Sequence, residues 1–206
     1  MDAPARPLRA DAARNRTRVL DAARTAFAES GLDVGVEEIA RRAGVGKGTL
    51  YRRFPTKEAL VRAIFDDLLV ELEEFASASA AEPDPGQAFA HFLNAAAHMQ
   101  ASNQGFFDVV AQRFGATLTA EQLTRVLAAV GGPMRRAQAA GAVRGDLVPE
   151  DVQMMLRMVG ATTRPAPDGS PMDERWSRYL GLLLDAVRPG AATPLPAEPW
   201  RQVPMQ

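Results

Sequence analysis

Apolar side chains recur every three or four residues along most of the chain, a spacing that places them on one face of an α-helix. Between residues 14 and 29, for example, Val19, Ala23 and Phe27 share such a face. No stretch alternates apolar and polar residues over the length of a strand, as a half-buried β-strand requires. The pattern therefore predicts an all-α protein of about nine helices, over residues 14–29, 36–43, 47–54, 57–78, 87–100 and 106–114 and from residues 120, 149 and 171 onward.

Polar residues mark where several of these helices begin. Thr56 is a suitable N-cap for the fourth helix, and Thr119 with Gln122 has the spacing of a capping box. Ser170 followed by Pro171 combines an N-cap with proline at the first helical position. These signals predict helix starts at residues 57, 120 and 171.

Proline and glycine predict interruptions elsewhere. Pro133 follows Gly131 and Gly132 inside the seventh predicted helix, where we expect a kink or a break because proline removes a backbone donor. Residues 189–206 contain five prolines, and we expect them to form a mobile tail.

Charge is distributed unevenly along a chain that is close to neutral overall. The 206 residues hold 24 basic and 25 acidic residues, but residues 1–65 carry a net charge of +5 and residues 66–206 a net charge of −6. A basic first part on an acidic remainder favours binding of a polyanion at the N-terminal end.

Composition narrows the class of protein further. The absence of cysteine excludes disulfides and thiolate chemistry. No apolar run is long enough to cross a bilayer, and the N-terminus lacks the apolar segment of a signal peptide. We therefore expect a soluble, cytoplasmic protein with no membrane partner.

Residues 36–54 carry the most informative pattern, a short helix, a tight turn and a second short helix, which is the spacing of a helix-turn-helix. Gly44 suits the turn because glycine adopts a positive φ without steric cost. Val45 can fill the angle between the helices, and Ile39 and Leu50 can lock them together. In such a motif the second helix presents its N-terminal residues to the major groove.

The start of this second helix carries side chains that suit DNA contacts. Lys47 and Arg52 can pair with phosphate or guanine, and Thr49 can touch a base. Tyr51 can donate to phosphate, and Gly48 lets the backbone approach DNA closely. A second lysine, at the start of the next helix, can also reach a phosphate. The candidate DNA-binding residues are therefore Lys47, Gly48, Thr49, Tyr51, Arg52 and Lys57.

The same segment resembles the N-terminal domain of the TetR (tetracycline-repressor-type) transcription regulators. The resemblance covers roughly residues 14–64 and is carried by the run AGVGKGTLY at residues 43–51 and by KEAL at residues 57–60. It implies a homodimer whose subunits each have a three-helix DNA-binding domain, a connecting fourth helix and a larger helical domain for ligand and dimer contacts. It also places Lys47, Gly48, Thr49, Tyr51 and Arg52 on the recognition helix and Lys57 at the phosphate-contacting start of helix four.

Two positions depart from the usual family pattern. The family often has threonine or serine at the position of Gly35 and serine at that of Gly46. Glycine caps a helix nearly as well, at a loss of a few tenths of a kcal/mol. A hydroxyl–phosphate contact is nevertheless missing at Gly35.

These observations predict four segments. They are a flexible arm (1–13), a helix-turn-helix DNA-binding domain (14–56), a helical ligand-binding and dimerisation domain (57–188, with 57–78 as the connector) and a proline-rich tail (189–206). The resemblance implies a regulator, most often a repressor, that binds a palindromic operator as a homodimer and is released by a small-molecule ligand. A ligand acts in this way only through different affinities for the two states.

A ligand pocket is predicted from apolar and soft side chains that follow the fourth helix. Such residues line pockets and fill cores equally well, and packed core is the more common role for any one of them. The candidates are His98, Met99, Phe106, Phe107, Val110, Phe114, Met154 and Met158.

The dimer interface is predicted from the apolar stripes of the last two helices, which together could form a four-helix contact across a twofold axis. The alternative is that the stripes face only the core of their own subunit. The candidates are Met155, Leu156, Val159, Trp176, Leu180, Leu183 and Leu184.

Other functional classes have weaker support. The sequence offers no nucleophile with a matching base and no phosphate-binding loop, so we expect no enzyme activity and no cofactor. His91 and His98 lie seven residues apart, about 10.5 Å along a helix, too far to share one metal ion. The main alternative is a helical interaction module or ligand sensor that does not bind DNA.

Overall fold

The computed structural model describes residues 5–114, 118–162, 175–191 and 193–195. Over these ranges the chain forms helices and no strand, which confirms the all-α prediction. None of the helices searched in these ranges has the length and apolar character needed to span a membrane. The elements are α1 (Ala5–Ser30), α2 (Val36–Ala43), α3 (Lys47–Arg53), α4 (Lys57–Ser79), α5 (Pro85–Ser102), α6 (Gln104–Phe114), α7 (Ala120–Ala139), α8 (Pro149–Ala161), α9 (Arg175–Ala186) and a 3₁₀ turn (Pro189–Ala191).

Two of the predicted helix caps are confirmed. The hydroxyl of Thr56 accepts a hydrogen bond from the backbone N–H of Ala59 at 3.1 Å. Thr119 and Gln122 form a reciprocal capping box at the start of α7. The predicted start at residues 170–173 lies outside the described residues.

The first helix is longer than predicted. It begins at Ala5 rather than at residue 14, so residues 5–13 are helical, while the flexibility expected of this arm stays a prediction. Alanine and arginine are strong helix formers, and Pro7 lies in the first turn, where proline is tolerated because its N–H has no helical partner.

Helix α7 runs through Pro133, so a break there is wrong, while a kink stays a prediction. Pro133 and its neighbours Val130, Gly131 and Met134 are buried. A Cβ on Gly131 would stand 3.4 Å from Cγ of Pro149 at the start of α8, so the helices approach closely there. Tertiary packing offsets the loss of one backbone hydrogen bond.

The chain divides into two compact units. The first comprises residues 1–66 and 105–117, and the second residues 67–104 and 118–206. The boundary falls within α4, after the predicted boundary at residue 57, and α6 belongs to the first unit rather than to the second. The reason is that α4 and α6 supply core side chains to the first unit, among them Leu60, Ile64, Phe65, Phe106 and Val110.

The core of the first unit contains stacked aromatic rings. The ring of Phe106 lies 5.2 Å from that of Phe65 and 6.4 Å from that of Phe27. At Gly105 an added Cβ would stand 3.0 Å from Cβ of Ala28, so α6 meets the end of α1 with no room for a side chain. These contacts fix the position of α1, and α2 packs against α1.

The second unit is built from α5, α7, α8, α9 and the second part of α4. Its core includes Phe89, Phe92, Leu93, Val130, Met134, Val152, Val159 and Leu180. Two arginines of α7 hold the end of α4. Arg125 makes a bidentate ion pair with Glu73 at 2.9 and 2.8 Å, and Arg136 donates to the backbone carbonyls of Ser79 and Ala80 at 3.3 and 3.2 Å.

Candidate nucleic-acid interface

The turn between α2 and α3 has the geometry that the sequence predicts. Gly44 adopts φ 64° and ψ 35°, a left-handed conformation that a residue with a Cβ adopts only under strain. Its N–H donates to the backbone carbonyl of Arg41 at 3.2 Å, and the N–H of Val45 donates to the backbone carbonyl of Ala40 at 3.0 Å. This pattern ends α2 within one residue and directs the chain into α3.

Buried side chains fix the two helices against the core. Ile39, Ala40 and Ala43 of α2 are buried, as is Leu50 of α3. Phe54, immediately after α3, is 7 % exposed. Because one face of each helix is buried in the core, the opposite face of α3 is directed toward solvent.

The five residues that sequence reasoning assigned to this helix lie together on its outer surface. Lys47, Gly48, Thr49, Tyr51 and Arg52 are all exposed, and 41 % of Tyr51 is accessible. A tyrosine with so much exposed ring is available to a partner. The structure thus brings the predicted contact residues to one surface, while their contact with DNA stays a prediction.

Neighbouring side chains hold several of these residues in place. Nζ of Lys47 forms an ion pair with Glu37 of α2 and lies 5.8 Å from the centre of the Tyr51 ring. Nη2 of Arg52 donates to the hydroxyl of Thr49 at 3.1 Å. The Lys47 ammonium lowers the pKa of Glu37, mainly through the hydrogen bond between them, so this carboxylate is charged at neutral pH.

Lys57 occupies a different environment from the other candidates. It is half-buried, and its ammonium donates to the backbone carbonyl of Leu32 at 2.8 Å. This bond ties the start of α4 to the loop before α2. An ammonium has three donors, so a phosphate contact by Lys57 would use the two N–H groups that this bond leaves.

Sequence reasoning missed a charged network on α2. Glu38 accepts hydrogen bonds from Arg41 at 2.8 and 2.7 Å and from Arg42 at 2.7 Å, and Arg42 also donates to Glu29 of α1 at 2.6 Å. The two arginines lower the pKa of Glu38 to about 2. The i,i+3 and i,i+4 spacing of these residues was the available signal. Their charges are engaged in joining α1 to α2.

The two glycine caps lack side-chain hydrogen bonds, as their residue type requires. Gly35 and Gly46 have extended backbones, with ψ of 145° and 138°, and precede α2 and α3 directly. Backbone geometry alone therefore starts these helices.

The Gly48→Ala variant separates helix stability from DNA approach. A Cβ at Gly48 would meet nothing within 4 Å, so alanine should stabilise the fold slightly, by about 0.5 kcal/mol. If the backbone at Gly48 lies against DNA, the added methyl should weaken DNA binding about tenfold, or 1.4 kcal/mol. Urea unfolding and DNA titration measure the two effects.

Gly44→Ala is the matched control for that variant. The positive φ at Gly44 should make alanine cost about 1 to 2 kcal/mol of stability. If Gly48→Ala bound DNA as tightly as the wild type, close backbone approach at Gly48 would be wrong.

The predicted pocket residues fall into two groups, one in each unit. Phe106 and Val110 of the first unit are fully buried core residues, and Phe107 is half-buried against Phe65 at 5.7 Å between rings. The side chain of Phe114 lies outside the part of the chain that the structure describes. Phe106 and Val110 are therefore packed core, because no part of either side chain is accessible.

The other pocket candidates belong to the second unit. Met99 and Met154 are half-buried, whereas His98 is exposed with its ring 6.0 Å from that of Trp176. Met158 is 53 % exposed on α8. Met158 faces solvent, so a role in an enclosed pocket within the subunit is not supported. A pocket that includes the remaining residues stays a prediction.

The predicted dimer residues face the core of their own unit. Leu156, Val159 and Leu180 are buried members of that core, and four others pack against it while remaining partly accessible. Those four are Met155, Trp176, Leu183 and Leu184. The alternative, a core within the same subunit, accounts for much of this stripe, and a contribution of these residues to a dimer contact stays a prediction.

Sequence reasoning did not predict that large apolar side chains are exposed on the outer surfaces of α8 and α9. Met158 is 53 % exposed, Tyr179 44 % and Leu182 57 %. Tyr179 and Leu182 lie three residues apart on α9 and so share a face. The exposure of these side chains, rather than their spacing in the sequence, distinguishes them from the apolar residues of the core. Among the residues searched, no group of three metal-ligating side chains occurs.

Comparisons with known proteins agree with this architecture. Residues 19–64 match the family described as bacterial regulatory proteins, tetR family. Residues 84–189 match the C-terminal domain of SbtR-like transcriptional regulators. The two matches together extend over both units.

Solved structures of TetR regulators resemble the whole fold. SCO0520 of Streptomyces coelicolor is 32 % identical over 84 % of this chain and 98 % of that one, with a TM-score of 0.63. A TetR regulator of Mycobacterium vanbaalenii is 35 % identical over 88 % of this chain and 99 % of that one, with a TM-score of 0.64.

Curated relatives match over a shorter segment. The HTH-type transcriptional regulator UidR of Escherichia coli K12 is 34 % identical over 87 residues, 42 % of each chain. The chain spans less than half the length of the curated relatives that it matches. The matches to both domains and to full-length solved structures show that the chain belongs to the TetR family of transcriptional regulators.

Proposed function

We propose that this chain is a repressor that binds a palindromic operator as a homodimer in the bacterial cytoplasm and leaves it when a small molecule binds the second unit. The observation that carries the proposal is the outer surface of α3, opposite the buried side chain of Leu50. The residues exposed together on this surface are Lys47, Gly48, Thr49, Tyr51 and Arg52. Family membership supplies the regulatory role.

The chemistry of this surface suits a major groove. Arg52 can make a bidentate contact to guanine, and Thr49 can touch a base or a thymine methyl. The hydroxyl of Tyr51 and the ammonium of Lys47 can bind phosphates and so set the register of the helix. In a homodimer the two copies of α3 would enter successive grooves about 34 Å apart.

The dimer contact is proposed for the outer surfaces of α8 and α9. Met158, Tyr179 and Leu182 expose apolar area there, and a second copy of the chain would cover it. Because a twofold contact uses the same patch from both subunits, one substitution changes the interface twice.

Leu182→Arg is expected to produce a folded monomer. The side chain is 57 % exposed, so the stability of the subunit should change by no more than about 0.5 kcal/mol. Two buried arginines would meet at the dimer contact, and light scattering should show half the wild-type mass. Operator affinity should fall with the loss of the dimer.

Leu180→Arg is the matched comparison on the same helix. Leu180 is 2 % exposed in the core of its own unit, so an arginine there should prevent folding rather than only dimerisation. A Leu182→Arg protein that stayed dimeric would contradict the proposed interface.

Ligand control is proposed to act through helix α4. Its C-terminal part is tied to α7 by the Arg125–Glu73 ion pair and by Arg136, while its first residues belong to the DNA-binding unit. A ligand that favours a different position of α7 would therefore displace one continuous helix shared by both units. The shift is limited to the difference in ligand affinity between the two states.

Selection of duplexes from a random pool by the purified protein tests the function. The proposal predicts a palindromic winner bound by two subunits, and release of that duplex by small molecules extracted from the host cell. A protein that enriches no sequence after removal of any bound molecule would favour the alternative of an interaction module or sensor without DNA binding.

A further inference from the structure

An acidic side chain of α2 lies beside the candidate DNA-contacting residues of α3. Glu37 of α2 forms an ion pair with Lys47, the first residue of α3. Both side chains are open to solvent, with 61 % of Glu37 and 54 % of Lys47 exposed. Burial therefore does not require the pair, and its charges are accessible to a third group.

Lys47 is held in a particular direction by this pair. Its ammonium lies between the carboxylate of Glu37 and the ring of Tyr51, at 5.8 Å from the ring centre. Lys47 is one of only two lysines in the chain, and the other, Lys57, is bonded to the carbonyl of Leu32. The flexible ammonium of the recognition helix thus already has a partner before DNA arrives.

This arrangement affects every contact that Lys47 could make with a DNA phosphate. Binding to random DNA depends almost entirely on contacts between basic side chains and phosphates. A carboxylate that occupies Lys47 and repels phosphates weakens such contacts. At an operator, a phosphate held at short distance can take Lys47 from Glu37, but the ion pair must be broken there as well.

We propose that Glu37 is a positioning residue that restrains the affinity for DNA, because it must release Lys47 before that ammonium can bind a phosphate. The inference rests on the proposed function. Glu37 also keeps the ammonium of Lys47 beside Tyr51, so that both side chains would approach the same part of the DNA backbone.

Glu37→Gln tests the proposal with two probes, the selected operator duplex and a random duplex of the same length. We expect affinity for the random duplex to rise about five- to tenfold and its salt slope to steepen by about one per bound subunit, since Lys47 then reaches a phosphate. Operator affinity should rise by at least the same factor, because the ion pair must also be broken there before Lys47 meets a phosphate. Affinity for the random duplex that stays at the wild-type value overturns the inference.

Two variants exclude simpler explanations. Glu74→Gln makes the same change in net charge at an exposed position in the second unit, and it should leave random-duplex affinity unchanged. In a Lys47→Gln background, Glu37→Gln should lose most of its effect. An undiminished effect there would show that Glu37 only repels DNA and does not act through Lys47.

The outcomes separate the inference from the proposed function. If the wild-type protein enriches no operator, the proposed function is wrong and the inference falls with it. If an operator is enriched but Glu37→Gln weakens that operator alone, Glu37 reads a base instead, and only the inference is wrong. Unchanged thermal unfolding of the variant establishes that the fold is intact.

Discussion

The Tyr51→Ala variant is expected to lose on the order of 100-fold or more in affinity for the selected operator, because a specific contact contributes about 1 to 3 kcal/mol and is lost twice in a homodimer. Tyr51 is 41 % exposed on α3 and stands beside the ammonium of Lys47. Fluorescence anisotropy with a labelled operator measures the loss. The side chain adds little to the core, so thermal unfolding should stay close to that of the wild type.

Tyr51→Phe divides this effect between ring and hydroxyl. The variant keeps the ring next to Lys47 and removes only the phenolic donor, so it should lose about tenfold in affinity or less. Equal losses for both variants would assign the whole contribution to the hydroxyl. A Tyr51→Ala protein that binds the operator like the wild type would show that this surface does not contact DNA.

The Phe106→Ala variant is expected to lose about 3 to 5 kcal/mol of unfolding free energy, as for other large buried aromatic side chains. Phe106 is fully buried and packs on Phe65 and Phe27. Its removal leaves a cavity beneath the helices that support α3. Urea denaturation measures the loss, and DNA binding should decline only as far as the folded fraction does.

Phe107→Ala is the comparison for that variant. Phe107 is the next residue on α6 but is only half-buried, so we expect a smaller loss of about 1 to 2 kcal/mol. A Phe106→Ala protein with nearly wild-type stability and lost ligand binding would restore Phe106 to a ligand pocket and contradict its assignment to the core.

Local signals in the sequence were sufficient for several helix starts and for the turn between α2 and α3. The capping box of Thr119, the cap of Thr56 and the positive φ of Gly44 all depend on residues within a few positions of one another. Local chemistry of this kind is readable from sequence because its partners are adjacent in the chain. The exposed side of α3 followed directly from the burial of Leu50.

The parts that could not be predicted depend on distant partners. Glu37 and Lys47 lie on different helices, and no periodicity pairs them. On α9 the apolar stripe that contains Leu180 was predicted to form the dimer interface, with the core of its own subunit as the alternative, and Leu180 lies in that core. An apolar stripe shows that a face is covered, but not whether the same subunit or a second copy covers it, and Leu182 beside it is the residue left exposed.

The salt dependence of operator affinity tests the central claim most directly, namely that the surface of α3 binds duplex DNA as a specific dimeric reader. The measurement is the Kd of the selected operator and of a random duplex between about 50 and 200 mM salt. The account predicts a steep linear fall of log affinity with log salt for both duplexes, with the operator bound at least about 1,000-fold more tightly throughout. Equal affinities for the two duplexes, or an affinity that does not respond to salt, would contradict it.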